Sequence, residues 1–259
     1  MNDVLQLLID NDLCVLKFAH RRLLKKHARH LNGWVLDAGC GHMPYALLVP
    51  CARYVGMEIS LKAKPAVVGS VMQLPFAAES FDNALCQEVL EHVPHPASAA
   101  KELFRVVKPG GHVFFTVPQM WYNHYEPHDY QRFTNHGLRH VLEQAGFEVV
   151  AMERTGGFWR FLFVRMIETT YRILRVLLFP LAVHNRFRNA AARFLCSPLN
   201  LLGLLLVPVL DLFSRRDHLG WATLARKPVR LPAGMRGDSK GGTVDAAGGK
   251  GIHASSAGH

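Results

Sequence analysis

Apolar residues along this chain fall into two rhythms. Short runs of strand length occur at 35–41, 53–59, 66–68, 81–86 and 112–117, and between them positions such as 98–107 carry apolar residues at helical spacing. The runs are punctuated by turn and stop signals: Asn32-Gly33 before the first, Glu79-Ser80 before the fourth, and Lys108-Pro109-Gly110-Gly111 before the fifth. Strands that alternate with helices predict right-handed crossovers and an open parallel sheet, with ligands bound beyond the carboxyl ends of the strands. Residues 147–155 and 220–227 read as two more strands.

Three other stretches keep a different pattern. Residues 3–31 read as a helix with Leu5, Leu8, Leu13, Leu16, Leu23 and Leu24 against a basic side of Lys17, Arg21, Arg22, Lys25, Lys26 and Arg29. Between the sixth and seventh strands lie some sixty residues that are mostly apolar. In the first part, Arg165, Glu168, Thr169, Arg172 and Arg175 share one helical face, a narrow basic stripe suited to a membrane interface. The second part, 194–213, approaches spanning length, but Pro198, Asn200, Pro208 and Asp211 are expected to interrupt it. Residues 231–259 are rich in Gly, Ala and Ser with no apolar period and predict a disordered tail.

Composition sharpens this division. The 259 residues are 49% hydrophobic and only 19% charged, with a formal net charge of +10. Residues 160–230 hold twelve Lys and Arg against Glu168, Asp211 and Asp217, a net +9, so the excess sits in and beside the apolar insert. A basic surface interleaved with apolar residues favours an anionic membrane over nucleic acid. The five scattered cysteines read as reduced thiols of a cytoplasmic protein, and the acidic first dozen residues do not form a secretory signal.

Candidate chemistry gathers where strands end. The first run, Val-Leu-Asp-Ala-Gly-Cys-Gly at 35–41, closes on a sharp glycine turn. Glu58 ends the next strand, where a carboxylate can accept both ribose hydroxyls of a nucleoside. The third glycine that seats a pyrophosphate is missing from Gly39-Cys40-Gly41-His42-Met43-Pro44, so a ligand with a ribose but no pyrophosphate fits better than NAD.

Four ordered stretches carry a family resemblance: 35–41, 55–60 (Val-Gly-Met-Glu-Ile-Ser), 74–82 (Leu-Pro-Phe-Ala-Ala-Glu-Ser-Phe-Asp), and 88–111 with Glu-Val-Leu-Glu-His-Val and Arg-Val-Val-Lys-Pro-Gly-Gly. With them the chain resembles the class I S-adenosylmethionine-dependent methyltransferases. A run from Glu126 to Thr134 resembles the type 11-like subgroup, whose bacterial members often act on small or lipid-linked envelope molecules. The resemblance implies an α/β fold: a Rossmann-like seven-stranded methyltransferase sheet with an apolar helical insert before the last strand. The implied divisions are a helical segment at 1–33, a cofactor-binding core at 34–157, the insert at 158–219, the last strand at 220–230 and the tail at 231–259.

By position, the resemblance places Asp37, Gly39 and Gly41 around the amino-acid part of S-adenosyl-L-methionine and Glu58 on its ribose. Ser70 and Val71 flank the adenine, and residues 87–92, from Gln87 to His92, line the far wall. Ser70 stands where the family usually has Asp, and Glu58 where Asp is commoner. Residues 118–134 should lie over the site and supply a base if the acceptor is a hydroxyl. His124 and His128 are the candidate bases, since an imidazole can take up a proton, and Tyr130 is a further option. Arg132 is read as a fork for an anionic group such as phosphate. A metal on His124 and His128 is not expected, because their spacing falls in a proline-containing loop.

The expected function is methylation of a small-molecule or lipid-linked acceptor at the cytoplasmic membrane face, with peripheral contact through 158–213 and neither nucleic acid nor metal as partner. The alternative is a membrane-associated binding module that keeps the fold without catalysis.

Overall fold

A computed structural model of the chain describes residues 14–43, 45–179, 185–214 and 216–229. Seven strands form one sheet: β1 (Trp34–Ala38), β2 (Arg53–Glu58), β3 (Val67–Val68), β4 (Asn83–Gln87), β5 (His112–Pro118), β6 (Glu148–Arg154) and β7 (Gly220–Arg226). Their order is β3-β2-β1-β4-β5-β7-β6. The first five pair in parallel, while β7 runs antiparallel between β5 and β6. Each expected strand is present within about two residues, except that the first ends at Ala38, three residues before Gly41. The fourth starts late, because Phe81 makes only an isolated bridge to Val107 before the ladder begins at Asn83.

Helices cover both faces, which is why the central strands read as continuous apolar runs. On one face α2 (Pro96–Val106) and α3 (Asn135–Gln144) bury Leu103, Val106, Leu138 and Leu142 against Leu36, Ala84, Cys86 and Phe115. α3 starts at Thr134, whose hydroxyl accepts from the Gly137 N–H at 3.0 Å, an N-cap that satisfies one of the helix's free donors. On the other face α1 (Cys14–His27) packs Leu23 and Leu24 against Val35, Leu85, Phe114 and Leu224. The parts of the expected N-terminal helix before Cys14, and the expected disordered tail, lie outside the described residues.

The insert folds as two helices, α4 (Phe158–Leu177) and α5 (Asn185–Leu210). Asp211, just past the end of α5, reaches the start of α4, where its carboxylate accepts from the N–H groups of Gly157 (3.1 Å) and Arg160 (3.2 Å). Ser214 Oγ accepts from Phe158 N–H at 3.0 Å. The first-turn donors of α4 are therefore capped from the far end of α5, and the pair forms an antiparallel hairpin. α1 joins it: Val15 packs with Val164, Ile167, Tyr171, Ala192, Cys196 and Val207, and its carbonyl accepts from buried Arg160 at 2.7 Å.

One expectation for the insert is corrected. Pro198 and Pro208 do not interrupt the second run, since α5 continues through both. Packing of its inner face on α1 and α4 holds the helix where propensity alone argues for a break. The polar stripe of α4 is divided, with Thr169 and Arg172 exposed and Glu168 turned inward. Glu168 is buried, and it binds Arg165, Arg172 and the Tyr122 hydroxyl from the segment after β5.

Candidate functional site

The site is built on the carboxyl ends of β1, β2 and β4. After β1 the chain turns so that the N–H groups of Gly39 and Cys40 both donate to the Met57 carbonyl, at 2.8 and 2.9 Å. Gly39 has φ +81°, and a Cβ there would lie 2.4 Å from Val89 Cγ2. Gly41 has φ +48°, and a Cβ there would have no atom within 4 Å. The first glycine is thus required by close packing, and the second faces open space.

Glu58 folds back onto this turn. Its Oε2 accepts from Gly41 N–H at 3.1 Å, and its Oε1 accepts from Ile59 N–H at 2.8 Å and Ser60 N–H at 3.3 Å. A carboxylate has about four acceptor positions, so capacity remains for a ligand hydroxyl. Asp37, one strand away, is buried and accepts from the Tyr54 hydroxyl at 2.5 Å. Burial pushes its pKa up to about 7; the Tyr54 hydrogen bond opposes that rise and the charge of Glu58 adds to it. Tyr54 as the partner of Asp37 was not anticipated.

Other expected site residues take varied places. Ser70 Oγ accepts from Met72 N–H at 3.2 Å in a tight turn, and Val71 is buried among core residues. Gln87 is buried at the end of β4 with neither amide atom hydrogen-bonded. His92 ends a short 3-10 turn, and its Nδ1 donates to the His128 carbonyl at 2.7 Å, which leaves Nε2 as the ring's acceptor.

The segment after β5 lies over this end of β4, with Tyr130 N–H donating to the Glu91 carbonyl at 2.8 Å. It brings the His124 ring to 4.6 Å from that of His92 between centroids, and Asp129 Oδ2 lies 3.3 Å from His124 Nδ1. His128 Nδ1 lies 3.3 Å from the hydroxyl of half-exposed Tyr130.

Arg132 differs from expectation. Its guanidinium forks onto Asp129 at 2.6 and 2.7 Å and also donates to the carbonyls of Trp121, Tyr122 and Gln131. With every nitrogen engaged it braces the segment and presents no fork to a phosphate. The same pairing holds the Asp129 carboxyl well below the usual range. Glu91, just before His92, is fully buried with neither carboxylate oxygen hydrogen-bonded; burial and the neighbouring Glu88 charge push its pKa well up.

The sheet has the Rossmann-like methyltransferase fold, and residues 36–115, which hold the glycine turn and the strand-end carboxylate, match the methyltransferase domain family. Within the chain the likeness runs to particular proteins. A tRNA (carboxymethyluridine(34)-5-O)-methyltransferase of Arabidopsis thaliana is 37% identical over 94 residues, covering 32% of this chain and 23% of the relative. A ubiquinone biosynthesis O-methyltransferase of Pseudomonas fluorescens is 34% identical over 100 residues, covering 32% of this chain and 43% of the relative. The chain thus spans less than half the length of these relatives. Among solved structures, the [4+2]-cyclase SpnF superposes with a TM-score of 0.52 at 21% identity, covering 81% of this chain and 82% of the cyclase. A Bacillus halodurans protein of the methyltransferase class gives 0.50 at 18% identity, with 80% and 98% covered. The two superpositions establish the fold alone.

Proposed function

We propose that this chain is an S-adenosylmethionine-dependent methyltransferase that acts on a small-molecule or lipid-linked acceptor at the cytoplasmic face of a membrane. The observation that carries the reading is the Glu58–Gly41 cradle, a carboxylate with acceptor capacity beside an open glycine position, inside the stretch that matches the methyltransferase family. The residues fit the cofactor. Glu58 would take its ribose hydroxyls, Asp37 lies where it would face the cationic amino-acid end, and the unpartnered Gln87 amide offers a donor and an acceptor at the far wall. Bound there, S-adenosyl-L-methionine supplies an electrophilic methyl group on a sulfonium, so the protein's task is alignment and exclusion of water. The segment braced by Arg132 and Asp129 forms the acceptor side. Glu91, His92 and His124 stand there with His128 and Tyr130 at the rim, groups able to receive the proton of a hydroxyl acceptor.

The membrane part of the reading rests on the hairpin's surface. The inner face of α5 carries Ala192, Cys196, Asn200 and Val207, all buried, while Phe194, Leu195, Leu201, Leu202, Leu205, Leu206 and Val209 are exposed. Within Phe187–Leu210 the most apolar 18-residue window has a mean hydropathy of 1.8 with only 22% of it buried, and the segment is long and apolar enough to cross a bilayer by length and composition. Because the end of α5 returns to the start of α4, we read it as lying in the interface. At the hairpin's other end Arg172, Arg175 and Arg188 line an open cavity of about 610 Å³ beside Phe179, a place suited to anionic headgroups.

Titration calorimetry of the full chain with S-adenosyl-L-methionine tests the catalytic half. Saturable one-to-one binding, weakened by Glu58→Ala, is expected; absence of binding would favour the non-catalytic module. The name of the Arabidopsis relative makes tRNA the acceptor to include as a competing arm.

A further inference from the structure

At the carboxyl end of β4 three side chains converge that the cofactor cradle does not use. Glu91, His92 and His124 each bring one donor atom within 4.8 Å of the others'. Glu91 is 0% exposed, and both its carboxylate oxygens lack a hydrogen-bond partner, which is costly for a buried carboxylate without a cation. A neighbouring Glu88 oxygen is likewise buried and unpartnered. The nearby guanidinium, Arg132, is committed to Asp129 and three carbonyls, so it leaves Glu91 unpaired.

His92 is held as a ligand usually is. His92 Nδ1 donates to the His128 carbonyl, so its Nε2 lone pair, 3.7 Å from Glu91 Oε1, points into the cluster. His124 Nδ1 is buried without a hydrogen-bond partner, 3.3 Å from Asp129 Oδ2, so that ring also keeps an uncommitted nitrogen. Metal-binding histidines are commonly oriented by a carbonyl or carboxylate on their other nitrogen.

We propose that Glu91, His92 and His124 bind one divalent transition-metal cation. Two imidazoles and one carboxylate favour zinc, manganese or iron(II) over magnesium or calcium, which prefer oxygen donors alone, and the set leaves coordination positions open. The role that follows rests on the methyltransferase reading; the binding itself does not. At an open position the cation would hold the oxygen of a hydroxyl acceptor and favour loss of its proton to water. The oxygen's lone pair then forms the new bond to the methyl carbon as the carbon–sulfur bond breaks, and that pair remains on sulfur, which becomes a neutral thioether. No electron is gained or lost overall.

The test uses full-length protein stripped with a chelator and titrated with Co²⁺, then Zn²⁺. One equivalent of Co²⁺ with visible d–d absorption, displaced by Zn²⁺, is expected, and Glu91→Gln and His124→Ala should each weaken binding by about tenfold or more. Glu91→Gln keeps the side chain's shape, and far-ultraviolet dichroism checks that each variant folds. Absence of stoichiometric binding overturns the proposal. Binding unchanged in both folded variants also overturns it, since the chain has fifteen histidines that could host metal elsewhere. Cofactor affinity of the metal-free protein, measured in parallel, reports on the methyltransferase reading separately.

Discussion

Asp37 shows how a single buried carboxyl can make stability depend on pH. Its folded pKa, pushed up to about 7, exceeds the ordinary value of 3.8. The folded state therefore binds its proton more tightly than the unfolded one. That contribution is fully present below about pH 4 and is lost as pH rises through about 7. Between those limits the slope is at most about 1.4 kcal/mol per pH unit. Asp37→Asn should remove it, so the difference in urea-unfolding free energy between wild type and variant should change steadily from pH 4 to pH 7 and then flatten. A difference independent of pH would show that the Asp37 carboxyl titrates normally. At this scale the sequence revealed part of the site. Asp37, Glu58 and the glycines were legible because strand ends place them. Arg132 was misread because its partners are backbone carbonyls and an Asp129 side chain whose direction no spacing reveals. His124 and His128 were read as alternative bases, and nothing in the sequence signalled that the neighbour of His124 in space is His92 from the end of another strand.

Among the elements, the α4–α5 hairpin departs furthest from its sequence pattern. Prolines and polar residues in 194–213 suggested interruption, yet the helix runs through Pro198, Asn200 and Pro208, and Asp211, just past its end, is a cap and an ion-pair partner. It lies 3.4 Å from Arg160, and both side chains are less than one tenth exposed. Removing the acid leaves a buried guanidinium unpaired and two helix donors unsatisfied. Asp211→Ala should destabilise the protein by about 3 kcal/mol or more, read from the urea midpoint at constant slope. A change within about 0.5 kcal/mol, the usual range for surface substitutions, would mean the cap and pair contribute little. The strands were easier to read, because burial on both faces leaves a run of apolar residues that turns and glycines delimit. Long-range capping has no such local signature.

On the scale of the whole molecule, the hairpin and the methyltransferase sheet are joined by the Tyr122–Glu168 hydrogen bond at 2.6 Å, which ties the segment over the site to α4. The exposed apolar face of α5 makes a membrane the proposed partner of the assembly. The triple substitution Leu201→Gln, Leu205→Gln and Leu206→Gln should leave unfolding unchanged and reduce flotation with vesicles containing anionic lipid several-fold; equal flotation would exclude this face. The central claim is methyl transfer, and it is tested most directly with methyl-labelled S-adenosyl-L-methionine added to extracts of cells that lack the protein. With wild-type protein the label should enter a membrane-extractable molecule that gains the mass of one methylene, and Gly39→Val, which collides with Val89, should abolish the transfer. Label that enters no acceptor, or enters tRNA alone, would contradict the account.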